Sequence, residues 1–401
     1  LDRNSAYIAQ KLEEAGVEVA RHSCIGDDPT ETVKILTEMG RRSDIVVVTG
    51  GLGPTEDDLT SAAAARAADV DLVLDPQALA SVENFFRTRN RTLTDSNKKQ
   101  ARLPAGAQCL NNSVGTAPGF HIKIGQCNFF FLPRVPFEMR RMLTDQVIPR
   151  IMKIQGPDAG VRLVKTLTTF GLTESATGDR LDGFNQRFHQ IKLGFRAKFP
   201  EIQVKFYAHG ADEQGLRAEL EEVTQWVCRK LGDQVISDTG ESMEKVVGTL
   251  LRQKKALLAV AESCTGGLIA DLLTNVPGSS DYFVFSAVTY SNQLKMKILG
   301  VTAQTLDRYG AVSEQTAKEM AHGVQQISDT TYGLSVSGIA GPGGATIGKP
   351  VGTVCIGLAS SDFVRGHRFC YKFNDRWMNK YIFATTALDL LRQELLGIPH
   401  G

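Results

Sequence analysis

The sequence predicts an α/β protein in three parts: a doubly wound α/β domain first, a small α+β module next, and a second α/β domain last. Three observations predict this. Helix and strand signals alternate over residues 4–150 and again over 241–398, with a short strand–helix–strand–strand–helix order between them. The length of 401 residues is too great for a single core. Runs such as SDIVVVTGG (43–51) are continuously apolar, the pattern of a strand buried on both faces of a parallel sheet.

Bulk properties narrow the class. A hydrophobic content of 42% and a charged content of 22% are those of a globular protein. The net charge of +1 argues against a nucleic-acid partner, although a small phosphate-bearing ligand needs only a local donor cluster. The seven cysteines are scattered and form no CxxC pair, so neither a zinc site nor a disulfide framework is indicated. Reduced thiols in a cytoplasm fit this usage. The longest apolar runs, such as FFFL (129–132), are too short to span a bilayer, and no signal peptide is visible.

In the front part, NSAYIAQKLEEAG (4–16) reads as a capped helix stopped by Gly16, with a preceding strand expected before residue 1. VEVARHSCIG (17–26) reads as a strand followed by a turn, and Thr30–Met39 as a helix with Ile35 and Leu36 inward. The strand at 43–51 feeds a turn with Gly50, Gly51 and Gly53, where backbone can approach a ligand closely. Thr55, Asp57 and Asp58 are then expected to open a helix. Free amides at a helix start favour phosphate. Two adjacent acids repel an anion unless a divalent cation lies between them, so a metal-bridged phosphate or diphosphate is one reading. The plainer alternative is a tight turn whose acids complement the helix dipole. A second stretch, NNSVGTAPGF (111–120), puts Asn112, Gly115, Thr116 and Gly119 in a loop, and LPRVPFEM (132–139) adds two prolines and Glu138.

The middle module, 160–235, reads as a strand (LVKTLTTFG), a helix capped by Thr173, two strands around Pro200, and a long helix stopped by Gly232. DTGES (238–242) is the expected linker. The last domain, 241–398, opens with a helix over 241–253, a strand over 256–262 and a helix over 266–274. It continues with a strand over 281–291, a helix over 313–327, strands over 332–341, 350–360 and 364–373, and a helix over Arg376–Leu396.

Three of these strands end in polar turns. ALLAVAE hands over to a helix through Ser263, Cys264, Thr265, Gly266 and Gly267, which offers a hydroxyl with backbone amides behind it to steady an oxyanion. A serine needs a base. His322 and His367 lie inside regular elements, so the candidate base is Lys295 in VTYSNQLK, with Tyr290 relaying or orienting and Asn292 beside them. SVSGIAGPGG (335–344) adds Ser337, Gly338 and Gly341 in a loop able to cradle phosphate, and Arg376 in NDRW is a forked anion donor. Strand ends converging at one sheet edge form a ligand crevice, and the alternative is a set of unrelated turns.

The motifs GGLGPTEDD, NNSVGTAPGF, AESCTGG, VTYSNQLK, GAVSEQT, SGIAGPGG and KPVGTV resemble those of the CinA family, the competence/damage-inducible proteins, over essentially the whole chain. The resemblance implies a molybdopterin-binding-like (MoaB/MoeA-like) domain at 1–155, with a metal-dependent ADP-ribose pyrophosphatase site. It implies a KH-type module at 160–235, and a domain at 241–398 similar to the stand-alone nicotinamide-nucleotide amidohydrolases (PncC). The KH-type module lacks the GxxG loop of RNA binders, so no nucleic acid is expected. The implied reaction converts nicotinamide mononucleotide (NMN) to nicotinate mononucleotide and ammonia without a cofactor. Ser263 is the implied nucleophile, Lys295 the base and Tyr290 the assistant, with Thr265, Ser337 and Arg376 as supporting or binding groups. Gly50, Gly51, Gly53, Thr55, Asn112, Gly115 and Thr116 form the implied front site, with Asp57 and Asp58 on a divalent metal. A homodimer in the cytoplasm is the family expectation.

This sequence departs from the family at four places. The family's first strand, with its Gly-Asp-Glu motif, would precede residue 1. Arg134 replaces a turn glycine, Asn374 replaces the glycine before Asp-Arg, and Lys380 stands where relatives often carry a second arginine. A third reading is a binding or scaffold protein whose front pocket holds a pterin or nucleotide without turnover.

Overall fold

The computed structural model describes residues 3–55, 57–156 and 160–399. It divides into two compact units, Leu1–Val164 with His209–Glu213, and Lys165–Ala208 with Gln214–Gly401.

In the first unit the strands are β1 (Ile45–Thr49), β2 (Leu72–Leu74), β3 (Arg102–Pro104), β4 (Gln108–Leu110), β5 (Gly119–Ile124) and β6 (Cys127–Leu132). The main sheet runs β1-β6-β5-β4, with β1 parallel to β6 and the other pairs antiparallel, while β2 and β3 form a separate ribbon. Both β1 and β6 are covered on two faces, as the apolar run predicts, and β6 is the more deeply buried. Phe129 and Phe131 face a core with Leu36, Ala63 and Ala64, while Phe130 and Leu132 face Ile8, Met139 and Ile151. Among the described residues β1 lies at the edge of this sheet and is half-buried, with Val46 and Val48 on one core and Ile45 and Val47 on the other.

Two expectations fail here. Residues 17–26 form no strand. Val17 and Val19 tuck against the second core, but the polar residues that follow are exposed and join no ladder. The helix after the glycine turn opens at Thr60 rather than near Thr55.

The second unit begins with β7 (Val161–Thr169), β8 (Lys192–Lys198), β9 (Glu201–Gly210) and β10 (Val235–Ser237), in the order β10-β7-β9-β8. Thr173 caps its helix as expected, its hydroxyl accepting from the amide of Ala176 at 3.2 Å. That helix ends at Arg180, and a second short one, Phe184–Arg187, follows Gly183 at φ +86°. The expected single helix breaks there because Gly183 takes a left-handed conformation. The short β10 was absent from the expected order.

The sheet that carries the site holds β11 (Leu258–Glu262), β12 (Phe283–Val288), β13 (Tyr332–Gly338), β14 (Thr353–Ala359) and β15 (Val364–Cys370), in the order β12-β11-β13-β14-β15. The first three are parallel and the last two antiparallel. Alternation along β11 divides the core. Leu258 and Val260 pack with Val247, Leu251, Phe383 and Leu391, while Ala259 and Ala261 pack with Met320 and Val324. The small alanines let the helix Glu314–Ser328 come close. Its Ala317 and Ala321 carbonyls leave no room for a Cβ at Gly357 or Gly333, each of which would stand 2.1 Å from them. The helix Ala303–Tyr309, which sequence patterning passes over, packs beside it.

Replacing Gly357 with alanine is therefore expected to destabilise this unit by about 1–3 kcal/mol, the usual cost of overpacking. Thermal unfolding of the full chain, followed by tryptophan and far-ultraviolet signals, checks this; an unchanged midpoint would contradict it.

Candidate active site

Strand β11 stops at Glu262, and the five residues Ser263–Gly267 turn the chain into the helix Leu268–Thr274. The turn needs its glycines. Gly266 and Gly267 hold φ of +63° and +93°, a region costly for other residues. The Ser263 amide donates to the Val336 carbonyl at 3.0 Å, prolonging the β11·β13 ladder by one residue. The Gly266 amide returns to the Ser263 carbonyl at 3.1 Å. Ser263 is thus set by backbone bonds on both sides, and its side chain is half-buried.

Lys295 reaches the same point from the neighbouring strand. After β12 the chain caps a helix at Ser291, whose hydroxyl accepts from the Leu294 amide, and Lys295 follows one turn later. Its Nζ lies 3.1 Å from Ser263 Oγ and 2.7 Å from the Thr289 carbonyl. Only 1% of Lys295 is exposed, and no ion pair reaches it among the described residues. Burial therefore holds its pKa below the ordinary 10.5, with the Cys264 thiol opposing weakly. A neutral amine keeps a lone pair, which is what a base facing a serine hydroxyl requires.

The helix behind Ser263 does not offer all its first amides to a ligand, contrary to expectation. Glu262, fully buried, takes three. Its Oε2 accepts from Gly267 and Ile269 at 3.0 and 3.1 Å, and its Oε1 from Ala270 at 2.9 Å. Among the described residues no hydrogen bond engages the amides of Thr265 and Leu268, while the Cys264 amide faces its own thiol. The Thr265 hydroxyl is buried and unpartnered. The Cys264 thiol is pushed up to about 12, chiefly by burial.

The rim is built by three further segments. Arg376 donates from Nη1 to the Gly341 carbonyl at 2.6 Å and from Nη2 to the Tyr290 hydroxyl at 3.1 Å. Those bonds use two of its five N–H groups. Tyr290 is 60% exposed and bonds Arg376 rather than Lys295, so no relay between Tyr290 and Lys295 is formed. Lys380 lies one helical turn beyond Arg376, and its Nζ is 3.7 Å from where a Cβ on Gly266 would stand. Asn379, buried and unnoticed in the sequence, donates to the Ala340 and Phe373 carbonyls at 3.0 Å each and ties the Gly-rich loop to the Arg376 turn.

Ser337 is not available as expected, because its hydroxyl donates to the Ala311 carbonyl at 2.7 Å. Gly338 is a close-packing position, where a Cβ would stand 2.7 Å from the Thr353 carbonyl, and Gly341 holds φ +85°. Asn292 is exposed, and no hydrogen bond joins it to Ser263, Lys295 or Arg376.

The front site is organised differently from its reading. Gly50 holds φ +111° with open space on its Cβ side, and the Gly51 carbonyl accepts from the Thr60 amide. Asp58 turns back over the loop, its Oδ2 accepting from the Thr55 amide at 3.0 Å and the Thr55 hydroxyl at 2.6 Å, close against Gly53. Burial raises the Asp58 carboxyl, but hydrogen bonds from Thr55 and Gly53, with the charge of Arg134, bring it below the ordinary value. Asp57 is exposed. No three His, Cys, Asp or Glu residues cluster to hold a metal among the described residues.

Asn112 holds its own loop, donating to the Ala117 carbonyl and Glu138 Oε2 and accepting from the amides of Val114 and Gly115. Glu138 closes on Gly115, and the Thr116 hydroxyl accepts from Gln100 at 3.2 Å. A pocket of about 380 Å³ adjoins Asn112, lined also by Gln77, Ser81, Asn84, Phe85 and Asn111.

These features define a three-part α/β protein with a buried lysine and a serine at converging strand ends. Family profiles match all three parts: a probable molybdopterin binding domain at 1–153, a damage-inducible protein CinA KH domain at 164–237, and a CinA C-terminal domain at 240–395. A CinA-like protein of Desulfosudis oleivorans is 52% identical over 98% of this chain and 96% of its own length. One from Desulforapulum autotrophicum is 47% identical over 99% of this chain and 95% of its own. The chain belongs to the CinA family. Among solved structures, the competence/damage inducible protein CihA from Agrobacterium tumefaciens is 37% identical, covering 38% of this chain and 94% of its own, with a TM-score of 0.36. Among the described residues no helix is long and apolar enough to cross a membrane.

The lowered Lys295 pKa has a thermodynamic consequence. The unfolded chain binds that proton more tightly, so the burden on the fold is full below the folded pKa and disappears above about 10.5. Lys295→Met is expected to raise the thermal midpoint, by more at pH 7 than at pH 10. Midpoints of both proteins across this range test it, and a pH-independent difference would count against it.

Proposed function

We propose that the C-terminal site hydrolyses the carboxamide of NMN to nicotinate mononucleotide and ammonia. The observation that supports this reading most is the 3.1 Å contact between Lys295 Nζ and Ser263 Oγ, made by a buried amine without a counter-charge. Lys295 takes the Ser263 proton as Oγ adds to the carboxamide carbon. The carbonyl oxygen becomes an oxyanion for which the unengaged amides of the turn, those of Thr265 and Leu268, are the available donors. Lys295 gives its proton to the departing nitrogen, ammonia leaves, and an acyl-serine ester remains. Water then adds to that ester while Lys295 takes its proton. The ester C–O bond breaks, the Lys295 proton returns to Ser263 Oγ, and the carboxylic acid released gives its remaining proton to solvent.

Arg376 and Lys380 suit the 5′-phosphate, an anchor remote from the reacting carbon. The cationic pyridinium ring makes the carboxamide carbon more electrophilic. Seven free thiols suit a cytoplasmic setting for this chemistry.

A second reading concerns the front loop, where we propose metal-dependent hydrolysis of ADP-ribose. Its support is the open backbone at Gly50 beside Asp57 and Asp58. ADP-ribose cleavage that requires added magnesium and is abolished in Asp57→Asn would sustain it, whereas binding without product would favour a non-catalytic pocket.

Ammonia release from NMN should fall at least about 1,000-fold in Ser263→Ala. Undiminished release would remove Ser263 from the reaction. In the wild type, kcat/KM should rise with pH through the lowered pKa of Lys295 and level off before 10.5, since only the neutral amine accepts the proton. A rate flat from pH 5 to 10 would exclude Lys295 as the base.

A further inference from the structure

We infer that Glu262 is a positioning residue for Ser263, acting through the turn and taking three amides of the following helix start out of ligand reach. The inference rests on the reading of Ser263 as nucleophile. A carboxylate at the end of a wholly apolar strand is costly unless donors surround it. Here three backbone amides do so, those of Gly267, Ile269 and Ala270. The helix Leu268–Thr274 lacks any side-chain cap, because its capping position is Gly267. Glu262 therefore caps the helix from the strand, across the turn that carries Ser263, and places a negative charge at the positive end of its dipole.

The backbone of Glu262 completes a closed circuit. Its carbonyl accepts from the Thr289 amide at 2.9 Å, the Thr289 carbonyl accepts from Lys295 Nζ, and Lys295 Nζ meets Ser263 Oγ. Ser263 is the next residue in the chain. One residue thus joins the strand bearing the hydroxyl, the segment bearing the amine and the helix beyond the turn. Three amides a substrate oxyanion would otherwise find at the helix start are occupied. That leaves the amides of Thr265 and Leu268 for the oxyanion, and Arg376 with Lys380 for a substrate anion.

Glu262→Gln in the full chain tests this. The variant keeps the shape but turns an amide NH₂ toward backbone N–H groups. Two readouts separate positioning from mere stability. Hydrogen exchange of the peptide 263–272 should accelerate. With NMN as the probe, kcat should fall about 100-fold with KM within about threefold, the effect of a nucleophile displaced by around an ångström. Glu262→Asp, which keeps the charge on a shorter stem, should give an intermediate kcat and serves if the glutamine variant does not fold.

Unchanged exchange protection overturns the clamp without reference to any substrate. Faster exchange with kcat within threefold of wild type overturns the positioning role. A raised KM at constant kcat would instead place a substrate anion on these amides, and also overturns it. Wild-type protein that releases no ammonia from NMN defeats the deamidase reading alone, and the exchange measurement still judges the clamp.

Discussion

The C-terminal site depends on the burial of one amine without a counter-charge. Among the described residues no carboxylate pairs with Lys295, and its Nζ has a hydroxyl and a carbonyl as partners. An acid beside it would favour the protonated form and oppose the lowering that burial produces. The surrounding architecture preserves that arrangement. The carboxylate of Glu262 is engaged by three backbone amides, and the thiol of Cys264 is held protonated by its own burial.

Much of this was legible in the sequence where local chemistry and strand ends coincide. Ser263 and Lys295 were read from two polar turns that end apolar strands, and the structure brings them together. Arg376 was legible as a helix-start arginine after a turn. The roles of Tyr290, Ser337 and Asn292 were not, because each depends on which neighbour a side chain reaches across a tertiary gap. Ser337 satisfies a carbonyl from another loop, and Tyr290 serves Arg376. Glu262 could have been found. An acid closing the run LLAVA must find donors, and a helix start five residues later supplies them.

The front unit shows where sequence periodicity misleads. The apolar run at 45–49 predicts a strand covered on both faces, which it is, but the deepest place in the sheet is taken by Cys127–Leu132, whose aromatics fill both faces. A run of apolar residues reports that a strand is covered, not where it stands in the sheet. The failed strand at 17–26 makes the converse point. Two valines at alternate positions do not form a ladder when the residues after them are polar and exposed.

The cysteine beside Ser263 has a chemical consequence of its own. Its thiol is buried, and at about 12 it carries almost no thiolate at neutral pH. Alkylating reagents such as iodoacetamide should therefore leave that position untouched in the folded protein, even though it neighbours the half-exposed Ser263 hydroxyl. Covalent inhibitors aimed at this turn would have to be designed for an alcohol.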